Sequence, residues 1–365
     1  MRKMSIKQIF YSILFIVSSF QQASFAQENH TAAEIQKALE NILLDDEIPG
    51  IQVMHVKDGH SYAYTAGEPI AGSGKKVQDN TIFQAASLSK AVVAYAALRL
   101  YDQGLFDLDT PLQDYWVYDR LSEDPRGKKM TARMVLCHST GLPNWQMKTG
   151  RPEWKTSKLD VAFEPGTAFR YSGEGFYFLQ KVLEHLTGKP LEEIVTEQVL
   201  KPFGMDHSNY IWRADMKESY TVGHKAGYIP YSLRQFKKAN AAYTLLTTAT
   251  DYSAFIQQGI LEGKGLKPAT HKMMLTRANS AQPAEKQGEA YDHLAYGLGV
   301  IIQDNTQGIA YAHGGSNTGY RCFFIAYPKT GESLVFFTNS ATGRIAFDDL
   351  ANLFLDKQTF WILQR

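Results

Sequence analysis

The segment from Ser87 to Gln103 is almost wholly apolar or small around Ala91–Leu98, and it stops at Gly104. Glycine commonly ends a helix, and a helix that is apolar on all sides has to be buried. The sequence therefore predicts one central buried helix. Lys90 lies on this helix and would be an unpaired buried charge unless it had a function.

The N-terminus has the features of a secretory signal. Three basic residues within the first seven precede an apolar run from Ile9 to Phe20 and a small-residue site at 24–26. This pattern predicts a signal peptide over 1–26, a mature chain from Gln27, and a periplasmic or secreted protein. The alternative is an uncleaved anchor, but the apolar run is short for about 30 Å of hydrocarbon, so stable membrane insertion after cleavage is not expected.

The remaining length, roughly 340 residues, suffices for one large domain with two lobes or for two modest domains. Lys plus Arg total 38 against 37 Asp plus Glu, so no overall field attracts nucleic acid or an anionic membrane. The expected partner is a small molecule or a peptide, and no cofactor is expected. Cys137 and Cys322 are the only cysteines; export permits a disulfide, but two separate buried thiols are expected.

Periodicity and turn residues indicate a mixed fold. They predict a helix from Thr31 to about Leu44, a hairpin at 50–57 and 60–66 around an Asp58-Gly59 turn, and a helix over 176–187. Near the C-terminus they predict strands over 298–303, 308–312, 320–327 and 333–339, followed by a helix over 345–355.

Hairpins near both ends indicate an α/β (α+β) domain over 27–365. Its antiparallel sheet would be formed from both chain ends, with flanking helices. We expect a sheet lobe over about 27–104 and 241–365, and an inserted, mainly helical lobe over about 105–240.

Ser87 and Lys90 lie three residues apart, so both side chains project from one face of the helix. A desolvated lysine with a lowered pKa can take a serine proton, which predicts Ser87 as nucleophile and Lys90 as its activating base. Taken alone, the string leaves open the alternative of a core lysine whose charge is satisfied structurally. A second S-x-x-K string, Ser73–Lys76, lies in a polar turn and is expected to be solvated.

Three strings in order resemble the boxes of the class C β-lactamase and penicillin-binding-protein family, whose forms are S-x-x-K, Y-x-N and K-T-G or H-x-G. They are Ser87-Leu88-Ser89-Lys90, Tyr171-Ser172-Gly173 and His313-Gly314-Gly315. The segments 138–143 (HSTGLP) and 163–166 (FEPG) are similar to supporting strings of that family, and the resemblance spans about 35–339.

The resemblance implies roles for further residues. Tyr171 would be the second proton-transfer residue, and His313 would line the opposite wall on an edge strand. The backbone N–H groups of Ser87 and Ser316 would form the oxyanion hole. The expected substrate-binding residues are His313, Gly314, Gly315 and Gly173.

Departures from the family pattern bear on the substrate. Gly173 replaces an asparagine amide, and His313-Gly314 replaces the lysine and threonine of K-T-G. We therefore expect small esters or D-amino-acyl amides and peptides to be preferred over penicillins and cephalosporins. A true β-lactamase, a DD-carboxypeptidase and an acylated sensor without turnover remain alternatives.

Other assignments are weaker. Literal K-T-G strings occur at 148–150 and 329–331, but the first precedes the tyrosine box and the second lies in a hairpin turn. A zinc hydrolase would need H-x-H or H-E-x-x-H, and an α/β-hydrolase would need G-x-S-x-G; none of these occurs. A P-loop at 69–76 fails because Pro69 and Lys76 occupy required positions.

Overall fold

The computed structural model describes residues 31–283 and 286–364. The signal peptide expected over 1–26 lies outside this part of the chain. Within the described residues, no helix combines the length and the apolar character that crossing a membrane requires.

Ten strands and nine helices make up most of the regular structure of the described chain. The strands are β1 Gly50–Lys57, β2 His60–Gly67, β3 Phe83–Gln84, β4 Leu246–Thr247, β5 Asn279–Ser280, β6 Leu294–Tyr296, β7 Ile301–Asn305, β8 Gly308–Asn317, β9 Tyr320–Ala326 and β10 Ser333–Thr338. The helices are α1 Ala32–Asp45, α2 Ser89–Asp102, α3 Leu112–Tyr115, α4 Ala132–Leu136, α5 Gly173–Thr187, α6 Leu191–Val195, α7 Ala249–Phe255, α8 Pro268–Met274 and α9 Phe347–Phe354.

The main sheet is antiparallel and joins the two ends of the described chain. Its order is β2-β1-β10-β9-β8-β7-β6-β5, and β1 pairs with β10 from Ile51↔Thr338 to Val56↔Ser333. The hairpin and the C-terminal strands predicted from the sequence are present, but β7 begins at Ile301 instead of 298 and β8 continues past 312 to Asn317. The short strands β3 to β6 escaped prediction because two or three residues are too few to show a period of two.

Helix α2 is the buried core of the fold. Each of its residues from Ser89 to Leu98 is buried, as the apolar run predicts. The ring of Tyr95 packs edge-on against Phe203 and Phe255, at centroid distances of 5.5 Å and 5.7 Å. Helix α2 is thereby fixed in position, and its first turn can hold catalytic groups rigidly.

The region between α2 and β4 contains short helices joined by long irregular stretches. Its longest helix, α5, ends at Gly188 as predicted and begins three residues earlier than expected. The Ser172 side chain caps this helix by accepting a hydrogen bond from the Gly175 N–H at 2.8 Å. A polar capping residue leaves no mark on the spacing of apolar residues. The hydrophobic pattern alone therefore placed the start of α5 too late.

The prediction that His313 lies on an edge strand is wrong for the strand as a whole, because β8 is paired on both sides. Its partners are β7 and β9. The pairing with β7 nevertheless stops at Ala312, whereas the pairing with β9 continues to Asn317. The segment from His313 onward therefore has one side free of strand pairing, and this side faces the candidate site.

Candidate active site

Ser87 lies in a single 3-10 turn, Ala86–Leu88, that leads from β3 into α2. Ala86 adopts φ 45°, a left-handed conformation that is uncommon for a residue with a side chain. Such strain persists only when the surroundings hold the chain in place. Here the Ala85 N–H donates to Leu245 O at 2.8 Å, and the Cys322 thiol donates to Ala85 O at 3.0 Å.

Lys90 lies directly beside Ser87. Its Nζ is 3.1 Å from Ser87 Oγ and donates to Ala242 O at 2.9 Å. The ammonium group also lies 4.8 Å from the ring centroid of Tyr171 and 5.8 Å from that of Phe176. The aromatic faces favour the charged form, but burial disfavours it more strongly and lowers the pKa of Lys90 to about 7.

The ring of Tyr171 packs against the ring of His138. The two rings are 4.3 Å apart at an angle of 34°, and the Ser172 N–H donates to His138 Nδ1 at 3.1 Å. The Arg170 N–H donates to His138 O at 2.9 Å. His138 thus supports both the ring and the backbone of the tyrosine box.

A buried ion pair holds the chain that follows Tyr171. Arg120 donates to both carboxylate oxygens of Glu174, at 2.7 Å and 3.1 Å. The Glu174 carboxylate also accepts from Trp154 Nε1 at 2.7 Å and from the Gln146 N–H at 3.0 Å. The network joins three separate stretches of chain at the first turn of α5, where a carboxylate is favoured by the helix dipole.

The end of β8 forms the wall opposite. A Cβ atom on Gly315 would lie 2.3 Å from Cys322 Sγ and 2.8 Å from Ala85 O, so only glycine lets the strand approach the Ser87 turn. His313 is buried, and its Nδ1–H donates to Gly314 O at 2.7 Å. Ser316, which follows Gly315, is exposed.

Two clefts meet at Ser87. The larger, of about 700 Å³, brings Ser87 together with Tyr171, His313, Gly314, Gly315 and Ser316. The smaller, of about 410 Å³, is lined by Ser87, Lys90 and Ser316, with Trp145 and Tyr243 as its aromatic walls. Seven of the eight residues named from the sequence therefore line one cleft or both.

Gly173 is the exception, because it lines neither cleft. A Cβ atom at this position would lie 2.5 Å from the Trp145 ring and 2.9 Å from Asn144 O. The Gly173 N–H donates to Asn144 Oδ1 at 3.0 Å. The structure thus places Gly173 behind Asn144 and Trp145, which lie between it and the cleft.

Sequence reasoning missed several residues that line these clefts. Asn144 lines both clefts, and Trp145 lines the smaller; they directly follow the HSTGLP segment, so an extension of that string would have included them. Arg321 also lines both clefts, because it pairs with Ser316 across the β8–β9 hairpin. No sequence string marks Arg321, since its place depends on strand register.

The two literal K-T-G strings and the second S-x-x-K string lie elsewhere, with one partial exception. Lys329 is exposed in the turn between β9 and β10, and Ser73 is exposed, its N–H donating to the Glu68 carboxylate. Thr149 does line the smaller cleft, and its hydroxyl lies 3.2 Å from that of Tyr243. Cys137 and Cys322 are separate buried thiols, as expected.

Among the residues that the structure describes, no group of three His, Cys, Asp or Glu side chains is arranged to hold a metal ion. A serine next to a buried lysine, between a helix N-terminus and a sheet, is the arrangement of the serine β-lactamases and penicillin-binding proteins. The family model described as "Beta-lactamase" matches residues 31–356. The chain therefore belongs to the β-lactamase family, whose members are serine hydrolases.

Individual relatives are distant. The chain is 22% identical over 337 residues to penicillin-binding protein 4 of Amycolatopsis lactamdurans, covering 87% of this chain and 88% of the relative. It is 28% identical over 170 residues to the D-alanyl-D-alanine-carboxypeptidase/endopeptidase AmpH of Escherichia coli K12, covering 42% of this chain and 44% of AmpH.

Solved structures share the fold. A penicillin-binding protein homologue from Pyrococcus abyssi, described as octameric, superposes with a TM-score of 0.73 at 22% identity, covering 89% of this chain and 77% of the homologue. A class C β-lactamase superposes with a TM-score of 0.72 at 19% identity, covering 91% of this chain and 99% of the enzyme.

Proposed function

We propose that the chain is an exported serine hydrolase that cleaves small esters, or amides and peptides of D-amino acids, through an acyl-enzyme on Ser87. The observation that carries the proposal is the distance of 3.1 Å between Lys90 Nζ and Ser87 Oγ, with the Lys90 pKa lowered to about 7. A lysine that is partly neutral near pH 7 can accept a proton, whereas a solvated lysine rarely can.

The proposed reaction assigns one role to each group at the site. Neutral Lys90 takes the Ser87 proton while Oγ attacks the carbonyl carbon, and the N–H groups of Ser87 and Ser316 hold the developing oxyanion. The proton then passes through Tyr171 to the departing alcohol or amine. In the deacylation step a water molecule attacks the carbonyl carbon of the acyl-enzyme and gives up a proton to the same catalytic groups. The acid is released, and the proton returns to Ser87 Oγ.

The substrate preference rests on contacts that the family pattern has and this site lacks. Gly173 lacks the side-chain amide of the family's asparagine and is covered by Trp145. His313 and Gly314 stand where the family's K-T-G string has the charge of a lysine and the hydroxyl of a threonine. Each lost hydrogen bond is worth about 0.5–1.5 kcal/mol, or about 1.5–3 kcal/mol when a charge takes part. An activated ester needs less of this binding energy because its chemistry is easier.

One observation favours a second candidate function, that of a β-lactamase or DD-carboxypeptidase. Arg321 and Arg344 both line the larger cleft, where they could receive the carboxylate of a β-lactam or of a C-terminal residue. A side-by-side measurement of kcat/KM decides between the two. We expect p-nitrophenyl esters and D-alanyl-p-nitroanilide to exceed a chromogenic cephalosporin by at least tenfold, and the reverse order would establish the second candidate.

Turnover distinguishes an enzyme from a protein that is merely acylated. With an activated ester in excess, we expect steady release of p-nitrophenol well beyond one equivalent of protein, and its loss in Ser87→Ala. Release that stops after a single equivalent would instead identify an acylated sensor or binding protein.

N-terminal sequencing of the exported product, expected to begin at Gln27, tests the signal peptide.

A further inference from the structure

The two clefts at Ser87 receive different parts of the substrate if the proposed function holds. Tyr171, which would pass a proton to the leaving group, lines the larger cleft and is not part of the lining of the smaller one. The leaving group would therefore occupy the larger cleft. The acyl part of the substrate would then lie in the smaller cleft, between Trp145 and Tyr243.

The smaller cleft is strongly one-sided in charge. Lys90, Arg234 and Arg321 line it, and none of the described lining residues is an aspartate or glutamate. Arg234 and Arg321 also form no ion pair with any described residue. Two guanidinium groups with no carboxylate at the same cleft favour an anionic ligand and disfavour a cationic one.

Arg234 is held at the cleft by aromatic rings. Its guanidinium carbon lies 5.1 Å from the ring centroid of Phe236 and 5.8 Å from that of Tyr243. The ring of Tyr243 is itself fixed edge-on against Trp145 at 5.5 Å. A guanidinium held over aromatic rings keeps its N–H groups free for a carboxylate, which accepts two of them side by side.

Arg321 approaches from the sheet side. Its Nη1 donates to Asn317 O at 2.9 Å and to Tyr320 O at 2.8 Å, which fixes the planar group while Nε and Nη2 make no hydrogen bond to a described residue. Burial chiefly, and the nearby Arg344 in addition, lower the pKa of Arg321. Placing two like charges close together costs free energy, and a bound anion would offset that cost.

We propose that the smaller cleft selects acyl groups that carry a carboxylate, such as the half-ester of a dicarboxylic acid or an acylated acidic amino acid. The same cleft would reject an acyl group with a free ammonium. This inference rests on the proposed function and narrows it, because it favours acidic esters over substrates with a free D-amino-acyl amine. Arg234 and Arg321 are the specificity-determining residues.

The test uses three esters with one leaving group and one chain length. They are mono-p-nitrophenyl adipate, its methyl ester, and p-nitrophenyl 6-aminohexanoate, each corrected for hydrolysis by Ser87→Ala. We expect the wild-type kcat/KM to be at least tenfold higher for the adipate than for its methyl ester, and lowest for the amino ester. Equal values for all three would overturn the inference, while turnover that depends on Ser87 would leave the proposed function intact.

Single substitutions test which arginines cause the preference for the adipate ester. Arg234→Gln and Arg321→Gln should each reduce the preference for the adipate severalfold, and Arg234→Glu should shift it toward the amino ester. Arg234 is exposed, so its replacement should not disturb folding. The matched control is Lys237→Gln, an exposed lysine nearby that lines neither cleft and should leave the preference unchanged. If Arg344→Gln abolished the preference instead, the placement of the acyl group would be wrong.

A binding measurement separates the inference from catalysis. Calorimetry with Ser87→Ala should show that monomethyl adipate binds at least tenfold more tightly than dimethyl adipate, and that Arg234→Gln removes the difference. Equal affinity of the two compounds for Ser87→Ala would overturn the inference even if every ester were hydrolysed. A difference that survives in Arg234→Gln and in Arg321→Gln would do the same.

Discussion

At the scale of single residues, Lys90 links catalysis to stability. In the unfolded chain a lysine has a pKa near 10.5, whereas burial lowers that of folded Lys90 to about 7. Between these two values the unfolded state binds the additional proton, so the free energy of unfolding rises with pH from about 7 to about 10.5. The group that can act as a base near neutral pH therefore destabilises the fold at the same pH.

Replacing Lys90 by methionine should accordingly abolish turnover and raise the melting temperature at pH 7. The gain should shrink toward pH 9.5. Above pH 7 the destabilisation that buried Lys90 causes falls by up to about 1.4 kcal/mol per pH unit. Calorimetric melting at both pH values measures this, with the exposed Lys237→Met as control. An equal gain at both pH values would mean that packing, and not the buried charge, is responsible.

A second prediction concerns Gly173, whose lack of a side chain leaves room for the Trp145 ring. In Gly173→Ala the added Cβ would lie 2.5 Å from the Trp145 ring, so the wall of the smaller cleft must move. We expect a loss of about 1–3 kcal/mol in stability and a higher KM. Gly150→Ala is the control, since nothing lies within 4 Å of its Cβ. Urea unfolding that left Gly173→Ala as stable as the control would contradict the close contact.

At the scale of elements, the start of helix α5 depends on the buried Arg120–Glu174 pair. Glu174→Gln keeps the shape of the side chain but leaves the guanidinium without its counter-charge in the interior. Breaking a buried pair in this way typically costs about 3–5 kcal/mol. The exposed pair of Lys129 and Glu164 supplies the control, because Glu164→Gln should change stability by less than about 1 kcal/mol. Similar denaturation midpoints for the two variants would show that the buried pair is dispensable.

The two candidate third boxes differ in whether they reach a cleft. His313 pairs with Phe324 of β9 and lines the larger cleft, whereas Lys329 is exposed in the turn beyond Ala326 and lines neither cleft. His313→Ala should therefore lower kcat/KM for an ester by at least tenfold, and Lys329→Ala should change it less than twofold. A larger effect at Lys329 than at His313 would mean that the string K-T-G, and not the strand position, identifies the site.

At the scale of the whole molecule, local signals predicted most of the framework and tertiary contacts supplied the rest. The apolar run around Ala91–Leu98 predicted α2, and the Asp58-Gly59 turn predicted the first hairpin. The placement of Arg321 beside Ser316 depends on the register of two strands, and that of Gly173 behind Trp145 depends on how a loop packs. Neither follows from a local string, so the charge of the smaller cleft could not be predicted from the sequence.

The central claim is that Ser87 is the nucleophile, and labelling tests it most directly. The protein is treated with a fluorophosphonate, and the adduct is located by fragmentation of the peptide over 77–90. We predict one adduct, on Ser87, that disappears in Ser87→Ala and persists in Ser89→Ala, whose buried hydroxyl donates to Ala86 O. An adduct on Ser73 or Ser316, or labelling that survives in Ser87→Ala, would contradict the account.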